Sequence, residues 1–206
     1  MRLKYQVVSI FMLFGCFSTQ SNADEDSKNF DFSGFYGGIV YGKTTVKATA
    51  TKPSSSPYYI KTDEDENDLG LFFGYAHNVG PVLFAIEALS QKDVATDKAS
   101  TGWAGEVIYE DLREYKLKIG YPSGKWLPYL TYGTGDVNIV WTGYPNAQPN
   151  NSDFKTIGGG FDYAIADNVV VGLDYSKANL KIYYPPSNWT EDTDLKSTRI
   201  KVAYLF

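Results

Sequence analysis

The chain holds one histidine, His77, and one cysteine, Cys16, among 206 residues. Hydrolytic or acyl-transfer chemistry needs a histidine beside a nucleophile and an orienting carboxylate. His77 stands in His77-Asn78-Val79-Gly80-Pro81, which reads as a short turn, so a polar turn residue is the simpler reading. One His and one Cys cannot build a zinc site of His and Cys ligands. The run Asp63-Glu64-Asp65-Glu66-Asn67-Asp68 matches the first, third and fifth positions of a calcium loop. Asp68 then falls where the sharp turn needs Gly, and Gly74 where the bidentate Glu belongs. A solvated acidic loop is the expectation. Ser123-Gly124-Lys125 lacks the leading Gly and the trailing Ser/Thr of a phosphate loop, and Gly158-Gly159-Gly160 sits in a strand pattern. Asn188-Trp189-Thr190 matches a glycosylation sequon, a weak signal by itself. No catalytic set, metal site or cofactor is expected.

The remaining chemistry lies in charges spaced by two. Lys116 and Lys118, and Arg199 and Lys201, alternate with apolar residues, as do Glu87, Asp162 and Asp174. A spacing of two places side chains on one face of a strand. Buried charges must be paired and hydrogen-bonded. These seven residues are therefore expected to pair inside a barrel. Two roles are open: a selectivity constriction or gate, or a salt-bridged plug that fixes strand register. A lumen of eight strands is only wide enough for side chains, which favours the plug.

The elements that must position these charges follow from the same alternation. Eight strands are expected, over 34–47, 68–76, 82–92, 107–120, 127–139, 154–164, 168–182 and 195–206. Short connections at 77–81, 121–126 and 165–167 alternate with long ones at 48–67, 93–106, 140–153 and 183–194. The long ones are rich in Pro, Ser, Asn, Asp and Thr. Short turns at one end and long loops at the other mark an outer-membrane barrel. An even strand number brings both ends of the barrel to the short-turn side.

The two faces differ in kind. Leu69, Leu71, Phe73 and Tyr75 share one face of the second strand, while Gly70, Gly74 and Ala76 share the other. Tyr115, Leu117 and Ile119 oppose Glu114, Lys116 and Lys118; Val171, Leu173 and Tyr175 oppose Gly172 and Asp174; Ile200, Val202 and Tyr204 oppose Arg199, Lys201 and Ala203. A face of glycines and charges suits a narrow polar lumen, and the apolar face suits lipid. Hydrocarbon offers no partners to open-edge backbone, so the sheet must close. Aromatics are 16% of the chain, which suits strands and membrane interfaces.

The first 23 residues are read as a cleavable signal peptide: basic Arg2 and Lys4, an apolar stretch over 7–17 too short to span as a helix, and Ser21-Asn22-Ala23 before cleavage. Leu13-Phe14-Gly15-Cys16 offers a rival, lipidation at Cys16, with bulky Phe14 where a small residue is usual. Cleavage after Ala23 removes Cys16, Arg2 and Lys4, taking the net charge from −5 to −7. An acidic chain argues against nucleic acid as a partner. Residues 24–32 form a short periplasmic segment, and 33–206 the barrel.

Several segments resemble the OmpA-like and opacity-protein family of outer-membrane barrels. Phe32-Ser33-Gly34-Phe35-Tyr36-Gly37-Gly38 looks like its first strand, and Trp126-Leu127-Pro128-Tyr129-Leu130-Thr131-Tyr132-Gly133 like its fifth. Gly158–Ala164 and Asn168–Tyr175 look like the sixth and seventh, and Tyr204-Leu205-Phe206 resembles the C-terminal signal read by the barrel-insertion machinery. That signal usually carries a glycine where Lys201 stands. The resemblance implies an eight-stranded antiparallel up-and-down transmembrane barrel in a Gram-negative outer membrane, in contact with lipid and lipopolysaccharide. It implies little about task, because the fold hosts adhesins, pores and structural proteins. The expected role is non-enzymatic: surface contact, adhesion or envelope integrity through outer loops that carry or border on Tyr58, Tyr59, Trp103, Trp141, Tyr144 and Trp189, with a host or surface ligand as partner. A narrow pore for small solutes and a soluble lipocalin-like barrel are the alternatives.

Overall fold

The computed structural model describes residues 29–51, 59–61, 64–98, 106–141, 150–184 and 189–206. The signal peptide, Cys16, Tyr58, Asp63, Trp103 and Tyr144 lie outside them. Eight long antiparallel strands run β1 (Gly34–Thr51), β3 (Glu64–Val79), β4 (Val82–Lys98), β5 (Glu106–Gly120), β6 (Trp126–Trp141), β7 (Asn150–Ala166), β8 (Val169–Tyr184) and β9 (Trp189–Leu205). Each pairs with the next, and β1 pairs with β9, so the sheet closes. A ninth piece, β2 (Tyr59–Lys61), pairs with β1 at Thr49–Thr51. Those residues also pair with β9, so β2 lies on the β3 side and extends that hairpin.

The strands are longer than the alternation predicts. Pairing outlasts apolar patterning: β3 begins at Glu64 and β4 reaches Lys98, where the outward side chains are polar. The acidic stretch from Glu64 to Asp68 is therefore strand and not loop. Its side chains alternate, Asp68 buried inward and Asp65 exposed outward, so they cannot encircle one ion. At the other end His77, Asn78 and Val79 continue β3, and the turn is only Gly80-Pro81. Gly80 adopts φ 61°, a left-handed conformation that suits glycine there. Tyr59, Trp141 and Trp189, expected on or near loops, fall within strands.

Register sets the barrel's dimensions. Following partners from Tyr36 through Gly74, Glu87, Lys116, Gly133, Thr156, Ala178 and Leu195 returns to β1 at Val46. The stagger is thus ten residues, the difference between positions 36 and 46. With eight strands it implies a tilt of about 40° and a backbone radius of about 8 Å. Two residues along a strand then advance about 5 Å along the axis.

The outer surface is apolar over the half nearest the short turns. Leu71, Phe73, Ile86, Leu117, Leu130, Ile157 and Ile200 are all exposed there. The band is about 20 Å tall, near the ~25 Å usual for these barrels. Aromatic side chains edge it. Tyr75, Tyr121, Trp126, Tyr204 and Phe206 lie toward the turns, and Tyr41, Tyr115, Tyr132 and Tyr175 toward the far side. Beyond the second edge the faces exchange character. Outward residues become polar, and inward ones become Val46, Val94, Val137, Ile139, Leu180 and Ile182, all fully buried. The upper half is packed like a soluble barrel.

The segment before β1 straps the floor. The Phe30 amide donates to the Gly124 carbonyl at 2.9 Å, and the Gly124 amide donates to Asn29 Oδ1 at 2.7 Å. Phe32 is buried among Leu83, Leu127 and Leu205 at the barrel base. Asp31 accepts from the Ser33 amide at 2.9 Å and from Asn78 Nδ2 at 3.0 Å. Ser33 above all holds the Asp31 carboxyl below its ordinary 3.8. A lowered carboxylate supports the strap fully above that ordinary value, and the support is lost as pH falls through the lower folded value. Phe32→Ala is expected to reduce unfolding stability by about 3 kcal/mol, read as a lower urea midpoint at unchanged slope. An unmoved midpoint would show that the strap does not hold the floor.

Candidate functional site: the charged lumen

Tight register and small residues create the site. Inward positions along β4, β5, β7, β8 and β9 gather the charges into one stretch of the lumen, while Gly70, Gly74, Gly133, Gly158, Gly160 and Gly172 face it. These glycines are spaces for neighbours. A Cβ at Gly172 would collide with Asp162 Oδ1, and one at Gly74 with the Tyr36 ring.

All seven charges expected in the lumen are buried there. Glu87 is the hub: Lys201 Nζ lies 2.6 Å from Oε2, Lys118 Nζ 3.7 Å from the same oxygen, and Lys116 Nζ 3.4 Å from Oε1. Tyr36 Oη donates to Glu87 at 3.2 Å. Lys118 also bonds Asp162 at 3.0 Å. Lys116 lies 3.6 Å from both Glu114 and Asp174. Arg199 joins Glu114 at 3.2 Å, Asp174 at 3.5 Å and Ser176 Oγ at 3.1 Å. Lys118 stands 4.0 Å from the Tyr129 ring centroid, and Lys201 4.3 Å from that of Phe72.

The sequence reading left three members out of the set. Glu114, Tyr36 and Tyr129 complete the cluster, and the signal for Glu114 was its parity with Lys116. With Glu114 the acids are Glu87, Glu114, Asp162 and Asp174, and the bases Lys116, Lys118, Arg199 and Lys201. Four charges of each sign balance, which makes burial tolerable. A polar layer with Thr44, Gln91, Thr156 and Ser197 lies above, then the apolar upper interior. Below, Ala76, Ala85, Leu127, Val170 and Leu205 form the apolar floor, and a small pocket of about 30 Å³ lies between it and Lys118, Asp162 and Lys201.

His77 is exposed on the outer face at the turn end of β3. Among the described residues no group of three or more His, Cys, Asp or Glu side chains could hold a metal. Tyr204 and Phe206 both face outward, their rings 5.3 Å apart.

Breaking balance should cost more than removing a balanced pair. Glu87→Gln leaves three cations around a neutral amide and is expected to destabilise the barrel by about 3–5 kcal/mol. Adding Lys201→Met should recover more than half of that loss. Urea unfolding in lipid vesicles tests both, and a double variant no more stable than Glu87→Gln would refute the charge-balance account.

Similarity to known proteins agrees with this architecture. The outer membrane protein beta-barrel domain model matches residues 9–206. OprG of Pseudomonas aeruginosa superposes with a TM-score of 0.53 at 15% identity, over 84% of this chain and 96% of its own. The outer membrane protein AlkL, solved by solid-state NMR in lipid bilayers, gives 0.54 at 15% identity, over 91% and 97%. Neisserial surface protein A gives 0.46 at 11% identity, over 83% and 99%. No curated protein sequence matches the chain. The match across nearly the whole length, on a closed eight-stranded barrel with an apolar outer band, places this chain in the bacterial outer-membrane β-barrel domain family.

Proposed function

We propose that the protein is a sealed, non-enzymatic barrel that acts at the cell surface through its outer loops, in surface contact, adhesion or envelope integrity. The observation that carries this is the filled interior. From floor to top, buried inward side chains form an apolar floor, a neutral charge cluster, a polar layer with Asp68, and an upper core of apolar residues around the hydrogen-bonded Tyr109, Glu191 and Thr193. A pore needs an aqueous path, and a packed apolar upper half opposes one. His77 is the one histidine of the chain and lies exposed at the turn end of β3, which supports the non-enzymatic reading.

In this reading the lumen set, Glu87, Lys116, Lys118, Asp162, Asp174, Arg199 and Lys201 with Glu114, is a plug that fixes register. A slip by one residue would turn charges toward lipid and apolar groups inward. Tyr204 and Phe206 form the C-terminal signal for the insertion machinery. The signal peptide over 1–23 delivers the chain to the envelope. The rival role, a narrow channel for small solutes, makes the opposite electrical prediction.

Single-channel recording in planar bilayers is expected to show no steady conductance for the folded protein. Steady openings would overturn the sealed reading. Replacing residues 52–58, 99–105, 142–149 and 185–188 with short Gly/Ser turns should abolish binding to target cells or extracellular matrix while heat-modifiable gel migration persists. Undiminished binding would move the function away from the loops.

A further inference from the structure

Among the described residues, strand pairing runs unbroken around the lower barrel but not around the upper. β3 and β4 pair from Val79–Val82 up to Gly70–Gln91. The ladder stops there, although β3 begins at Glu64 and β4 reaches Lys98. β7 and β8 pair from Ala166–Val169 up to Lys155–Asn179. That ladder stops too, although β7 begins at Asn150 and β8 reaches Tyr184. The remaining seams stay paired toward the top. Thr51 meets Thr190 and Tyr59, Tyr184 meets Trp189, Lys98 meets Glu106, Val107 meets Trp141 and Ile139 meets Asn150. The two open seams are four strands apart, on opposite sides of the barrel. Register puts them within about 5 Å of one height, just beyond the second aromatic edge and at the top of the charge cluster.

The upper half is therefore two sheets of four strands. One holds β8, β9, β1 and β3 with β2, and the other β4, β5, β6 and β7. The division has local causes. Continuing the β3–β4 register would set Asp68 opposite Asp93 and Glu64 opposite Asp97. Like charges directly opposite destabilise a ladder. Bulges bend the strands beside this seam: β4 has one between Asp93 and Ala95, and β5 one between Glu110 and Arg113, where Asp111 takes φ 52°. Gln91 lies at the seam's foot. It is buried, and neither of its amide atoms has a hydrogen-bond partner among the described residues. That is a cost of the closed state which water would remove.

The two sheets meet through side chains. Val46, Leu180 and Leu195 of one and Val94, Val137 and Ile139 of the other are buried in one cluster. A buried hydrogen bond crosses between them. Tyr109 Oη donates to Glu191 Oε1 at 3.1 Å, and Thr193 Oγ1 donates to the same oxygen at 2.9 Å. Ladder bonds hold each sheet together, while apolar packing and this bond join the two. Each sheet is thus a unit able to move as a whole. Connections 52–58 and 185–188 join strands of the first sheet, and 99–105 and 142–149 strands of the second.

We infer that the two sheets are jaws, hinged on the fully paired lower barrel, that part along both seams and close under a Tyr109–Glu191 latch. Parting changes the spacing between one pair of loops and the other, a consequence that rests on the loops being the binding surface. The apolar floor and the charge cluster lie at or below the foot of both seams, so parting leaves the lumen sealed.

Paired nitroxide labels read the motion by double electron–electron resonance on the folded protein in lipid nanodiscs. No cysteine occurs among the described residues, so the labels report the chosen sites. Glu110→Cys with Asp192→Cys spans the jaws on β5 and β9, and Asn67→Cys with Asn151→Cys spans them on β3 and β7. Leu117→Cys with Ile200→Cys crosses the lower barrel on β5 and β9. Each upper pair is expected to show two distance populations about 5 Å or more apart, and the lower pair one. Tyr109→Phe should raise the parted population about fivefold. One narrow population at both upper pairs, unmoved by Tyr109→Phe, would overturn the inference. So would two populations at the lower pair, because the whole barrel would then be changing shape. Heat-modifiable migration identifies the folded variants, and if one upper pair fails to fold the other decides. Two populations in a protein that binds no cells would sink the loop reading and leave the jaws. Cell binding with a single population would do the reverse.

Discussion

Eight strands closed with a ten-residue stagger leave a space about 8 Å in backbone radius, and every inward side chain must share it. That limit governs the rest of the molecule. It is why glycines face Tyr36 and Asp162, and why eight charged groups stand within bonding distance of one another instead of lining water. At this width the charges of the cluster must meet one another. Glu87 is tolerable in the interior because three lysines surround it, and those lysines because four carboxylates share them.

The same strands serve two solvents. Through the lower half they meet lipid outside and hold charges inside, the reverse of a soluble barrel. Through the upper half they meet water outside and bury Val46, Val137, Ile139 and Leu180 inside. One sheet does both because its period of two persists while the chemistry assigned to each parity changes. The crossover comes near one height around the barrel, and on β1, β5 and β8 tyrosine gives way there to lysine or arginine. The change is a property of the membrane boundary rather than of any single strand.

Sequence alternation made the closed barrel legible, and the parity of Lys116, Lys118, Arg199 and Lys201 puts them on one face of their strands, where all four are buried. It failed where alternation changed meaning. Residues 64–68 look like an acidic loop because their outward side chains are polar, and polar outward residues usually signal loop. In a barrel that rises past the membrane they are strand. His77 reads as turn for a related reason: its neighbours Asn78, Gly80 and Pro81 are turn formers, yet backbone pairing with Phe84 continues β3 past it.

The sequence by itself determined the strand period, the apolar face that meets lipid, the turns and the residues able to carry charge inward. These depend on neighbours two residues apart, which local order records. Which charge meets which was decided only by the tertiary structure. Glu87 and Lys201 are 114 positions apart, and their contact follows from the stagger at closure, a quantity no single strand contains.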